Sequence, residues 1–281
     1  MNSIKLRRHE SFSLREGWLE KGINSVNEFG NKTFGNVYGT KILGIGSNMV
    51  KSLKYWMIAG GVILPGSKCE LTDFGRALLK YDKYLANDFS WSMFHYFLSS
   101  NFDEAPVYYY IVNKYSSKYL EKDTIVSVIS DFLTDNEYKF NPKSLQEDVN
   151  MYFKTYVPDN NSNPEDNFVS PLSKLNLLEE SNDRNVYYKS MVDLDKLNYL
   201  AVYYAIQSLF TESFIIDDLY RMEKSPVKVF NLEKGVIDQY LNIMKQKKLI
   251  TVNKTAGLNT IYLNKSFSIE ELFNMYFAEE N

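Results

Sequence analysis

The sequence predicts a mainly α-helical fold with short β-hairpins, built as two winged helix-turn-helix modules flanking a helical middle segment. Three observations carry this prediction. Apolar residues recur at helical spacing through most of the 281-residue chain. Glycines and a Pro-Gly-Ser turn punctuate residues 1–85 where a helical turn and a wing would fall. Two short apolar runs near the end, Leu249–Val252 and Thr260–Leu263, bracket a glycine-bearing tip at 253–259.

In the first module, residues 1–85, the stretch LGIGSNMVKSLKYWMIAGGVI at 43–63 poses a choice. Gly44 and Gly46 either cradle a phosphate or make a tight turn between helices. A dinucleotide loop needs a third glycine, and Met49 stands in that place. No Gly-Lys-Ser/Thr follows, as a nucleotide P-loop requires. The turn reading explains more residues. Ser47 is a good helix N-cap, and Val50, Leu53 and Met57 follow at helical spacing with Trp56 beside them. Asn48, Lys51, Lys54 and Tyr55 fall largely off that stripe. Gly60-Gly61 ends the helix. Val62–Leu64 and the stretch from Cys69 read as the two strands of a wing, with Thr72 or Asp73 capping the next helix.

The middle segment, 86–198, reads as helical and aromatic. Lys122–Leu133 forms an amphipathic helix. Asn141-Pro142 supplies a cap and a first-turn proline for a helix over 143–156. Asp159–Asn167 is the clearest loop. In the third segment, 199–281, helices are predicted at Thr211–Met222 and Leu232–Lys248. In the longer one Val236, Tyr240 and Met244 face inward with Ile237 and Leu241 alongside. The hairpin at 249–263 then completes a second winged-helix outline, in the same element order as the first.

Composition narrows the function classes. No apolar stretch reaches the ~20 residues of a membrane helix, and no apolar signal core follows the basic N-terminus, so a cytoplasmic location is expected. One cysteine, Cys69, allows no internal disulfide or cysteine cluster. Two histidines, His9 and His95, make a histidine-rich zinc site improbable. No metal or other cofactor is expected. The net charge is −3, but it is uneven. Residues 1–85 carry a net +6, residues 86–198 a net −8 and residues 199–281 a net −1. A basic first third beside an acidic middle points toward DNA.

Arg8-His9-Glu10-Ser11-Phe12, with Arg15, Gly17, Trp18, Leu19, Lys21 and Gly22, resembles the opening of a bacterial family of unknown function. Leu43-Gly-Ile-Gly with Asn48, Met49, Val50, Lys51, Tyr55 and Trp56 resembles its second block. Leu71-Thr72, Gly75-Arg76, Asp82, Tyr84-Leu85, Trp91 and His95 resemble its third. Asp148-Val149, Tyr156, Ser170-Pro171-Leu172 and Leu175 resemble later blocks. The family's members are encoded beside phosphoadenosine-phosphosulfate-reductase-like proteins, in loci for DNA phosphorothioation and phage defence. The resemblance implies a cytoplasmic defence protein, an accessory or regulator of a sulfur-modification enzyme.

Candidate contacts to double-stranded DNA are Arg7, Arg8, Ser47, Asn48, Lys51, Lys54, Tyr55 and Lys68 in the first module, and Lys234, Gln239, Lys245 and Lys254 in the last. Lysines and small polar side chains suit phosphate and base-edge contacts. The alternative is a scaffold that uses the same modules to hold a modification enzyme or motor partner. An enzyme is not expected. His9-Glu10 with Arg15 reads better as an arm packed on Trp18, His95 as a satisfied core histidine, Cys69 as buried and inert, and Tyr108–Tyr110 as a core stripe.

Overall fold

Trp18, Leu19, Ile23 and Val26 fall at helical spacing on one face of the first helix, and Leu14 precedes it. All five are buried. The computed structural model describes residues 3–35, 38–157, 169–183, 185–191, 195–255 and 258–280. Helix α1 spans Trp18–Phe29 and runs into a 3₁₀ turn at Gly30–Phe34. Short α2 (Gly39–Leu43) and α3 (Ser47–Ala59) follow. Helix α1 approaches α3 closely at Gly22, where an added Cβ would lie 2.4 Å from Met57 Sδ.

The predicted wing after α3 is an isolated bridge, Ile63 to Leu71, in place of two strands. The intervening chain explains this. Pro65 lacks an N–H to donate, and Gly66 (φ 114) and Cys69 (φ 52) both leave the extended region. Helix α4 (Asp73–Tyr81) then starts on Thr72, whose hydroxyl accepts from Gly75 N–H at 3.0 Å, as expected of a threonine cap.

The middle segment holds α5 (Asp88–Ser100), α6 (Pro106–Asn113), α7 (Lys122–Asp135) and α8 (Pro142–Tyr156). Asn141 caps α8, its side chain accepting from Ser144 N–H at 3.1 Å. The segment is not purely helical. Strand β1 (Tyr119–Glu121) precedes α7, and β2 (Leu178–Glu180) and β3 (Val186–Lys189) follow a 3₁₀ turn at Pro171–Leu175. The three form an antiparallel sheet in the order β1-β3-β2, with Leu120 opposite Tyr187. Strands of three or four residues carry too little alternation to stand out from loop sequence. The loop expected at 159–167 lies outside the described residues.

The last segment opens with α9 (Tyr199–Gln207). The helix expected over Thr211–Met222 is instead β4 (Ser213–Ile215) and α10 (Ile216–Arg221). Phe214 pairs across to Ile261, and both are buried. Burial of that pair overrides local helix propensity. Asp218 marks the true helix start by accepting from Ile215 N–H at 3.1 Å. Next come α11 (Pro226–Val229) and α12 (Lys234–Gln246). Strands β5 (Ile250–Thr255) and β6 (Leu258–Leu263) extend further toward their tip than expected, the ladder reaching Thr255 opposite Leu258. This second sheet has the order β4-β6-β5. The middle and last segments thus share one plan, in which the final strand lies between the other two.

Helix α13 (Ile269–Glu280) returns to the first segment and packs on α4. The Phe273 ring lies 5.0 Å from Phe89 and 6.0 Å from Phe74. Tyr276 stacks on Phe89 at 4.6 Å, and Phe277 on Tyr81 at 6.0 Å. Lys80 pairs with Glu270 at 2.6 Å across the same seam. One buried cluster therefore runs from Leu14 to Tyr276, through all three segments.

Candidate nucleic-acid interface

Gly44 ends α2 with φ 62, and its N–H donates to Thr40 O at 2.9 Å. Only glycine takes that left-handed conformation without a side-chain penalty. Gly46 then flanks α3 in an extended conformation. A helix enters this turn where a phosphate-binding fingerprint has a strand. Val50, Leu53, Trp56 and Met57 are buried, as their spacing predicted. Ser47 is not the cap. Gly46 holds that position and Ser47 is the first helical residue, one place further in.

Ser47, Asn48 and Lys51 are exposed, and Lys51 Nζ lies 3.4 Å from Asn48 Oδ1. Lys54 is half-buried. Its ammonium donates to Gly66 O at 3.3 Å and stands 5.9 Å from the centre of the Phe34 ring. That ties α3 to the preceding 3₁₀ turn and to the loop bearing exposed Lys68. Tyr55 does not join this surface. It is buried, edge-on to Trp56 at 5.1 Å and to His9 at 6.2 Å, and burial pushes its phenol well above the usual range. The polar hydroxyl hid an aromatic body that the core uses. Arg8 is exposed, whereas Arg7 ion-pairs with Glu147 on α8.

Two lysines belong with this group that spacing arguments passed over. From Phe29 to Cys69 the chain contains Lys32, Lys41, Lys51, Lys54 and Lys68 and no Asp or Glu at all. Four of the five are exposed and the other half-buried. Among the described residues none of them pairs with a carboxylate. By contrast Lys5, Arg76, Lys80, Lys114, Lys174 and Lys247 all do. The signal was legible as a long acid-free run, and net charge over 85 residues averaged it away.

On α12, Val236, Ile237, Tyr240, Leu241 and Met244 are buried as expected. Lys234, Gln239, Asn242 and Lys245 are exposed, with Asp238 half-buried among them. Lys254 lies in β5 opposite Asn259.

Most of the remaining candidates are buried. His9 is buried, and its Nε2 lies 2.8 Å from Asp148 Oδ1 while its Nδ1 accepts from Ser11 N–H at 3.0 Å. The Arg15 guanidinium stands 5.6 Å from Phe12 and 5.3 Å from Trp18. His95 bridges Tyr156 hydroxyl at 2.7 Å and Val229 O at 2.8 Å, and burial lowers its pKa to about 4. Cys69, Tyr108 and Tyr109 are buried. Among the described residues no three His, Cys, Asp or Glu side chains converge as metal ligands, and no helix is long and apolar enough to cross a membrane.

The sequence model of a family described as "Protein of unknown function (DUF4007)" matches residues 6–277. The match reaches well past Leu175, where the resembling blocks end. Among solved structures, "Magnesium ion-bound SspB crystal structure" superposes with a TM-score of 0.84 at 21% identity, covering 98% of this chain and 87% of that one. "SspB crystal structure" superposes with a TM-score of 0.83 at 20% identity, with the same coverage. These likenesses show a shared fold. No curated protein matches.

Proposed function

We propose, from the premise that this chain belongs to the family of unknown function DUF4007, that it is a non-enzymatic DNA-binding accessory of a DNA phosphorothioation and phage-defence locus. The acid-free lysine run from Phe29 to Cys69 carries the reading. The 3₁₀ turn, α2 and α3 pack on one another, so these lysines are gathered on one small module. Each lysine placed on a phosphate releases condensed counterions, and a run without carboxylates adds no repulsion of its own.

Two further features support it. The middle and last segments each follow the order helix, strand, helices, strand, strand, with the last strand central. We read that order as a winged-helix plan, and in the last segment the helix before the hairpin, α12, keeps a polar face exposed. In the middle segment the corresponding helix, α8, is largely buried, so it serves packing. The locus assignment rests on the block resemblance and on the shared fold with SspB. A phosphoadenosine-phosphosulfate-reductase-like protein is the second partner this reading assigns. Magnesium, named with one SspB structure, finds no group of three His, Cys, Asp or Glu ligands among the described residues here.

The test is binding of a plain and a phosphorothioated duplex by the wild type and by Lys51→Ala/Lys54→Ala, read across salt. The wild type should show a steep salt dependence. The double variant should bind both duplexes more weakly and lose about two units of slope, roughly one per phosphate contact. A wild type that binds neither duplex at low salt overturns the reading and favours the protein-holding scaffold.

A further inference from the structure

A cleft of about 910 Å³ opens between α1 and the α2–α3 turn, beside the lysine module. Its size falls in the range of small-molecule sites. Apolar groups from both sides line it, Trp18 from α1 and Ile45 and Met49 from the turn and α3. Arg15, its guanidinium 5.3 Å from the Trp18 ring and 5.6 Å from the Phe12 ring, borders it, and Glu20, Lys21, Asn24 and Ser25 of α1 are among the other lining residues.

The chemistry of this lining is unlike that of the neighbouring surface. The lysine module has no carboxylate, whereas the cleft carries Glu20 and also Glu16, which pairs with Lys174 at 3.0 Å. These two carboxylates offset the two cations of the lining, Arg15 and Lys21, so the cleft has no excess positive charge to draw a phosphate. They suit an exocyclic amino group, as a Glu accepts from cytosine N4. A carboxamide such as Asn24 offers both a donor and an acceptor, the pair that reads adenine N6 and N7. The Arg15 guanidinium, lying over the buried Trp18 indole, suits the flat face of a base. Phosphate chemistry and base chemistry thus stand side by side on one module.

We infer that this cleft receives a single unstacked nucleobase carrying an exocyclic amine, adenine or cytosine, while the neighbouring lysines hold the flanking phosphates. The inference rests on the DNA-binding reading and deepens it. Taking a base out of a paired stack costs a few kcal/mol, and least where the base is already unpaired. A duplex with one extra, bulged adenine therefore brings the base to the cleft without that cost.

The experiment compares three duplexes by fluorescence anisotropy: fully paired, with a bulged adenine, and with a bulged thymine. The adenine bulge should bind about tenfold or more tightly than the paired duplex, and the thymine bulge should fall short of it, lacking the amine. Asn24→Trp narrows the cleft from a half-buried position on α1 and should erase the gain while leaving affinity for paired DNA intact. Glu20→Ala should shrink the adenine-over-thymine preference. Equal binding of paired and bulged duplexes, or a gain that survives Asn24→Trp, overturns the cleft assignment and leaves the DNA-binding reading standing. Failure of all three duplexes to bind overturns both.

Discussion

His9 donates from Nε2 to Asp148 Oδ1 at 2.8 Å, joining two residues 139 positions apart in the chain. The tautomer follows from the other nitrogen, since Nδ1 accepts from the Ser11 N–H at 3.0 Å. Asp148 accepts a second bond, from Arg7 N–H at 2.8 Å. Burial raises the Asp148 pKa, and the bonds from His9 and Arg7 pull it back down. The result is a clasp that holds the N-terminal arm against α8. A buried carboxylate that anchors two donors is costly to remove, because each donor is then left without water or partner. Asp148→Ala should lower stability by about 3 kcal/mol or more, and limited proteolysis should cut the arm first. Unchanged melting and an uncut arm would show that the clasp is dispensable.

The α2–α3 turn makes a different demand. Gly44 has φ 62, and nothing lies within 4 Å of where a Cβ would stand. Any cost of substitution there is therefore backbone strain and not a clash. Gly44→Asn should be tolerated, because asparagine enters the left-handed region more readily than most residues. Gly44→Val should cost about 1–2 kcal/mol in chemical denaturation. In the same turn ATP, NAD and phosphoadenosine phosphosulfate should give no saturable thermal shift. A shift that Gly46→Val abolishes would return the turn to phosphate binding.

Helix α13 links the ends of the chain. Phe273 is fully buried among Phe74, Phe89 and Phe277. Phe273→Ala should cost about 3–5 kcal/mol. Because one cluster spans the three segments, unfolding of the wild type should be a single transition by both circular dichroism and tryptophan fluorescence. Two separated transitions would divide the cluster into independent units.

Legibility in the sequence followed the length of the pattern. Helix α12 showed five inward residues at helical spacing, so its buried face was readable, and α8 announced itself through Asn141 and Pro142. Strand β4 was missed because Ser213–Ile215 is too short to alternate and finds its partner at Tyr262–Thr260. Register to a strand some 47 residues away leaves no local trace. Tyr55 was misplaced for a related reason. Whether a tyrosine at the edge of a stripe faces water depends on what covers it, and here His9, brought in by the arm, is among its neighbours. Lys32 and Lys41 needed the absence of acids to be noticed, a property of a whole run and not of a motif.

The two exposed helices can be compared directly. Lys234→Ala/Lys245→Ala on α12 removes two cations from a face that also carries Asp238. If α12 is a second contact, this variant should weaken DNA binding across sequences with a smaller loss of salt slope than the α3 pair. Lys234 and Lys245 are exposed, so stability of the α12 variant should stay within about 0.5 kcal/mol, whereas the α3 pair also loses the Lys54 bond to Gly66 O, and its melting is measured alongside. Unchanged affinity and slope would assign the α12 face to a protein partner.

His95 is a buried group whose lowered pKa should weaken the fold toward acid. Its two nitrogens are both engaged, Nε2 donating to Val229 O and Nδ1 accepting from the Tyr156 hydroxyl. The neutral ring fits this pair of bonds, and burial holds its pKa near 4, against 6.5 for an exposed histidine. Between those values the unfolded chain binds a proton that the folded chain does not. Stability contributed by this site is therefore complete above about pH 7 and falls as pH drops from 6.5 toward 4. The full loss would approach about 3 kcal/mol, at 1.36 kcal/mol per pKa unit. Asp148 has the opposite slope, since its raised pKa lets the folded state keep a proton longer as pH rises. Its window starts lower, at the ordinary aspartate value, below the value of an exposed histidine at which the His95 window opens. His95→Gln retains a donor for Val229 and does not titrate. It should lower stability at pH 7.5 but flatten the decline between pH 6.5 and 5 in urea titrations. A decline as steep in His95→Gln as in the wild type would place the acid sensitivity at another group.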